Sequence, residues 1–223
     1  MIKPQTWIGA AREVLTIGFS SSVLEIGNIL LPILLNNQMM RYGGAAALAV
    51  YGVVSTVSSL FQSLFGGVGQ SIQPLVSANF GAKQSDRVWA ILRMSLVTVV
   101  VMGLLFTALG ELFPLQITRL FIPSATEEVL AVASVIIRSY FLVFLFLGFT
   151  VLATYHLQST LRFQLSIAVS LLRSVVVSGA LLLILPALFD FPGVLAAMPL
   201  SEWLMAIVSL ALMSKGEPDI QKR

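Results

Sequence analysis

The sequence predicts an all-α integral membrane protein, built as six transmembrane helices. Three observations carry that prediction. First, 57% of the 223 residues are apolar and only 10% are charged, whereas a soluble domain carries about 25% charged residues. So few polar side chains cannot cover a water-facing surface. Second, the mean hydropathy is +0.95. Third, the apolar residues fall into long runs at 14–40, 46–71, 89–113, 127–155, 164–188 and 193–213. Each run exceeds the roughly 20 residues that a helix needs to cross the hydrocarbon. None shows the short alternating pattern of barrel strands. Residues 1–213 read as a single membrane lobe, followed by a cytoplasmic tail at 214–223.

The first run is too long for a signal peptide and carries Glu25 within it. By helical rise Glu25 lies about 17 Å from the helix end, near the bilayer centre. Pro32 follows it and frees the carbonyl of Asn28 from its helical bond. Asn36 lies one turn beyond. The second run contains Gln62 and ends in Gly66-Gly67-Val68-Gly69, a stretch suited to close helix packing. Gln70 and Gln73 follow, and amides there can bind helices together. The connection at 72–87 holds Pro74 to end or kink the helix, Gly81 for a left-handed turn and Ser85 as the next N-cap. The third run is mostly apolar, with Arg93 near its cytoplasmic end. The fourth carries Arg138, the fifth Arg173, and the sixth Pro199 followed by Glu202. Pro199 frees the carbonyl of Leu195 in the same way.

Charge orients these runs. With the amino terminus inside, Lys3, Arg12, Lys83, Arg87, Arg93, Arg162, Lys215, Lys222 and Arg223 are cytoplasmic, and only Arg41 and Arg119 lie opposite. That bias has the direction the positive-inside rule requires, and it puts both termini in the cytoplasm. Glu25, Arg138, Arg173 and Glu202 are the costly residues, at about 2.5–3.5 kcal/mol each near the bilayer centre. Two readings fit them. The two carboxylates and two guanidiniums neutralise one another in pairs, or a carboxylate faces water and exchanges a proton or cation.

Other chemistries find little support. There is no cysteine and a single histidine, His156, at a helix end near Gln158. No acidic pair has metal-ligand spacing, so neither a metal site nor nucleophilic catalysis is expected. No Lys/Arg cluster points to nucleic acid.

The sequence resembles the multidrug and toxic compound extrusion (MATE) family over nearly its whole length, and specifically a carboxy-terminal half. The most specific stretch is GGVGQSIQPLVSANFGAKQSDRV at 66–88. Asn36, Gly43-Gly44, Ala49-Val50-Tyr51-Gly52, Leu157-Gln158-Ser159, Leu172-Arg173 and the run from Gly193 through Pro199 to Glu202 also match. Glu25 fits a pattern of bacterial members. The resemblance implies one six-helix lobe of a cation-coupled exporter in the plasma membrane, the inner membrane of a bacterium. Its partners would be the lipid bilayer, cationic or amphiphilic small molecules and a second six-helix lobe. It implies no cofactor beyond a coupling ion, H⁺ or Na⁺. Glu25, Asn28, Asn36 and Gln158 are then the coupling or cavity residues, and Arg138, Arg173, Glu202, Pro32 and Pro199 are structural. Leu195 stands where many relatives have Trp, Gly148-Phe149-Thr150 where Asn is frequent, and the fourth helix has no acid between Glu128 and Tyr155. The last departure argues against a sodium site of the kind some members build there. Two alternatives remain open: a split subunit without transport of its own, or a half-size transporter acting as a parallel homodimer.

Overall fold

The computed structural model of the chain describes residues 4–214, with side chains for 29–213. Its elements are all helical: α1 (Pro4–Gly81), α2 (Ser85–Leu112), α3 (Pro114–Phe121), α4 (Glu127–Phe141), α5 (Phe144–Ser159), α6 (Phe163–Leu171), a π-helical turn (Leu172–Val177) and α7 (Ser178–Ser214). Four stretches are long and apolar enough to cross a membrane: Ile29–Gly81, Ser85–Leu112, Glu127–Ser159 and Phe163–Met213.

Two of these stretches are folded back on themselves. Gly44 breaks α1 with φ 72° and ψ −169°, a conformation essentially reserved for glycine. Leu31 and Ser59, about 42 Å apart along a straight helix, consequently line one cavity. In α7, Asp190 adopts φ 53° and ψ −136°. Ser178 Oγ then hydrogen-bonds Ser201 Oγ at 3.1 Å, although 23 residues of straight helix would hold them about 35 Å apart. Gly193 permits this reversal, because a Cβ there would strike the Leu185 carbonyl.

The connection after α1 differs from the sequence expectation in three ways. The helix continues through Pro74 to Gly81. A ladder to α5 spans the proline: Gln70 Nε2 donates to Tyr155 Oη at 3.4 Å, Gln73 Nε2 to Gln158 Oε1 at 3.5 Å and Ser77 Oγ to the Ser159 carbonyl at 3.4 Å. The left-handed position is Lys83, with φ 57°, and not Gly81. Gln84 N–H bonds Asn79 O and Lys83 N–H bonds Phe80 O, which is a Schellman turn. Gln84 is the N-cap of α2, so Ser85 is already inside the helix and caps nothing. The turn after α5 repeats the motif, with Leu161 at φ 59°, Arg162 N–H on Leu157 O and Leu161 N–H on Gln158 O.

The expected fourth span also proves to be two helices, interrupted at Leu142–Val143. The interruption exposes carbonyls that lipid cannot satisfy, and side chains satisfy them instead. Thr107 Oγ1 donates to Phe141 O at 3.0 Å, and Trp203 Nε1 to Leu142 O at 3.4 Å. Around the break lies the aromatic core. Phe61 stacks on Phe106 at 3.9 Å between ring centres, and Phe144 meets Phe61 and Phe141 edge-on at 5.2 Å each. Gly103 lets α2 approach the Phe144 backbone, and Gly148 admits Val99 and Phe65. Lipid-facing surfaces are apolar: Met94, Val97, Val101 and Leu104 on α2, and Leu183, Leu188, Leu204 and Ile207 on α7.

Two substitutions test this reading of the turns. Leu161→Gly relieves a left-handed side chain that is mostly exposed and raises unfolding stability by about 1 kcal/mol. Gly193→Ala forces the α7 arms apart and lowers stability by about 1–3 kcal/mol. Thermal unfolding in one detergent gives both signs; the same sign for both would reject the assignment.

Candidate functional site

The two arms of α7 and the π-helical turn build the chemistry. A π turn inserts one extra residue into the ladder. Here it spans Leu172–Val177, and Ser178 Oγ donates to the carbonyl of Arg173 at 2.6 Å, five residues back. Arg173 is thereby turned toward the returning arm. Its Nε donates to Glu202 Oε1 at 2.6 Å. Glu202 is 2% exposed, in the middle of its arm, while the Arg173 side chain keeps 27% exposure. Glu202 Oε2 is buried and has no hydrogen-bond partner.

The pair lies on the wall of a cavity of about 440 Å³. Tyr51, Tyr140, Ser174 and Ser178 add hydroxyls, Leu147 and Met198 add apolar surface, and Pro32, Ser59 and Gln62 form an exposed rim. The rim continues a stripe along the second arm of α1. Gly52, Thr56, Ser59, Ser63, Gly67 and Gln70 recur every three or four residues, and all are exposed. The Thr56, Ser59 and Ser63 hydroxyls turn back onto the carbonyls of Gly52, Ser55 and Ser59. The stripe is polar and small, in contrast to the leucine, valine and methionine of the lipid-facing helices.

The residues singled out by sequence fall in several separate places. Glu25 and Asn28 lie outside the residues whose side chains are described. Arg173, Glu202 and Pro32 meet at the cavity. Asn36 is exposed and does not line it, and Gln158 is occupied by Gln73 in the ladder between α1 and α5. Pro199 and Leu195 line a separate apolar groove of about 490 Å³ with Trp203. Arg138 is a correction. It belongs neither to the cavity nor to Glu202, since its Nε lies 3.8 Å from the Glu111 carboxylate and donates to the Glu111 carbonyl at 3.2 Å. Both side chains are about half exposed, at the end of α2. Counting from residue 127 put Arg138 too deep, because packing sets it beside Glu111 in the last turn of α2. Sequence reasoning overlooked Glu111 and the two cavity tyrosines; a tyrosine within an apolar run was the available signal.

Broken and folded-back apolar helices with a buried ion pair at a cavity and a polar stripe leading to it are features of transporter architecture. The family model MatE matches residues 22–184, and the chain belongs to that family. Among solved structures, it is similar to a MOP superfamily transporter from Pyrococcus furiosus. That match has 17% identity and a TM-score of 0.84, over 96% of this chain and 48% of the other. It is also similar to the MATE multidrug transporter DinF-BH, at 26% identity and TM-score 0.78, over 93% and 46%. The Vibrio cholerae MATE transporter VcmN in the bent form matches at 15% identity and TM-score 0.75, over 88% and 43%. The chain thus spans about half the length of these structures. No curated protein matches it. It is a multi-pass membrane protein, so its surroundings are a lipid bilayer.

A charge left alone in the site is costly, so Arg173→Met, which strands Glu202, should lower unfolding stability by about 3–5 kcal/mol. The double variant Arg173→Met/Glu202→Leu should recover most of that loss. A double-mutant cycle of Tm values checks the pair; additive effects would mean that it contributes no coupling.

Proposed function

We propose that this chain is one lobe of a MATE-type exporter that moves cationic or amphiphilic compounds against an inward flow of H⁺ or Na⁺. The observation that carries this reading is the exposed polar stripe from Gly52 to Gln70, which passes the mouth of the Arg173–Glu202 cavity at Ser59. Glycines and small hydroxyl residues along one exposed face let another helix approach closely, so this face suits a second lobe. A second lobe of the same orientation, related about the membrane normal, covers the stripe and encloses the path. The full-size solved structures, about twice this length, support that arrangement. The lobe itself is read as six crossings, the reversals at Gly44 and Asp190 dividing two of the four long stretches. The nine-to-two charge bias supports cytoplasmic termini in the plasma membrane. Glu25 is the carboxylate assigned to coupling.

Two measurements test this. In the assembled transporter, Glu25→Gln should reduce efflux under an imposed cation gradient to the passive rate, and unchanged coupled efflux would remove Glu25 from the mechanism. The native membrane particle should contain two lobes, whether on one chain, on a sibling or on a second copy. A particle with the mass of a single lobe would reject the two-lobe reading.

A further inference from the structure

The Arg173–Glu202 pair is built unlike a structural salt bridge. Such a pair satisfies its remaining lone pairs with further hydrogen bonds. Here one carboxylate oxygen is taken by Arg173 Nε, while Oε2 is buried with no partner. The guanidinium is the more exposed member and reaches the carboxylate from a cavity of about 440 Å³. That volume lies within the usual range for small organic ligands, about 300–1,000 Å³. It is far larger than the close oxygen cage a bare metal ion requires, and no cluster of three metal-ligating side chains occurs among the described residues. The walls bring two tyrosines, Leu147 and Met198 to the same space as the carboxylate. Aromatic rings, apolar surface and one buried anion are the groups that recognise an organic cation.

We infer that Glu202 anchors a small organic monocation in this cavity and that Arg173 is a tethered competitor, holding the anionic site while no such cation is present. The arginine head group is itself an organic cation on a flexible stem. Exchange therefore never leaves the carboxylate bare: an arriving ammonium or guanidinium takes it over as Arg173 swings toward the exposed rim, and the ligand's own charge is the one added. Tethering keeps Glu202 neutralised throughout, which lowers the cost of opening the site. It also weakens ligand affinity, as release demands. This assignment rests on the transport reading for its purpose, but its binding test depends on the cavity alone.

The experiment is calorimetric titration of the chain in lipid nanodiscs with phenylguanidinium, the neutral isostere phenylurea and sodium ion. Wild type should bind phenylguanidinium weakly and phenylurea not at all. Arg173→Gln should bind phenylguanidinium about tenfold more tightly, since a like charge leaves the site, and the ligand should raise its Tm. Glu202→Gln should lose binding. A folded Arg173→Gln variant with unchanged or weaker affinity would overturn the competitor role. Binding retained in Glu202→Gln, equal binding of phenylurea, or a saturable response to sodium in place of phenylguanidinium would overturn the site. If Arg173→Gln does not fold, the comparison of wild type with Glu202→Gln still decides. Loss of coupled efflux is read in a flux assay and loss of phenylguanidinium binding in Glu202→Gln by calorimetry, so the two readings fail separately.

Discussion

Hydrocarbon offers no hydrogen bonds, and that constraint governs the break at Leu142 and the π turn of this fold. Wherever a helix is interrupted, the stranded backbone group must find a partner inside the protein. Thr107 reaches the Phe141 carbonyl across from α2, and Trp203 reaches Leu142 from the last arm. Ser178 accommodates the π turn by donating to the Arg173 carbonyl. The first two contacts join elements distant in sequence, so the break between α4 and α5 also ties the bundle together. Where a residue is forced into a left-handed conformation, at Lys83 and Leu161, the paired Schellman bonds close the helix end.

The same constraint applied to charge produces the cavity. Glu202 is almost wholly enclosed, and at that depth a lone carboxylate would be intolerable. Arg173 compensates it from the opposite arm of a hairpin whose turn is Asp190. The pair thus depends on the reversal and helps to hold it closed. Arg138 and Glu111 illustrate the contrast. At 3.8 Å and about half exposed, they form an ion pair of the kind that contributes little, and neither lines the Arg173–Glu202 cavity. Depth, rather than the presence of opposite charges, separates the two sites.

Much of the fold was legible in order along the chain. Runs of apolar residues located the membrane stretches, and the charged residues inside them marked where function had to be sought. Misreadings cluster where a local rule was overridden by packing. Pro74 reads as a helix end or kink, and the helix does not end there but runs on to Gly81, flanked by three side-chain bonds to α5. Gly81 reads as the left-handed residue, but the turn is completed two residues later at Lys83. Gln158, read as a cavity group, also meets Gln73, 85 positions away, in the contact between α1 and α5. No local signal marks the break at Leu142, because the donors that sustain it, Thr107 and Trp203, come from distant helices.

The sequence by itself determined the solvent this protein folds in, the all-helical class and the short set of residues too expensive to be idle. Composition and hydropathy suffice for that, since the cost of a polar group in lipid depends on its type and depth alone. Which of those residues meet was decided only by the tertiary structure. Two glutamates and two arginines allow several pairings on paper. The hairpin at Asp190 and the extra residue of the π turn select Arg173 with Glu202, and the end of α2 claims Arg138 for Glu111. Pairing is a matter of distance in space, and along a folded-back helix that distance bears no relation to separation in sequence.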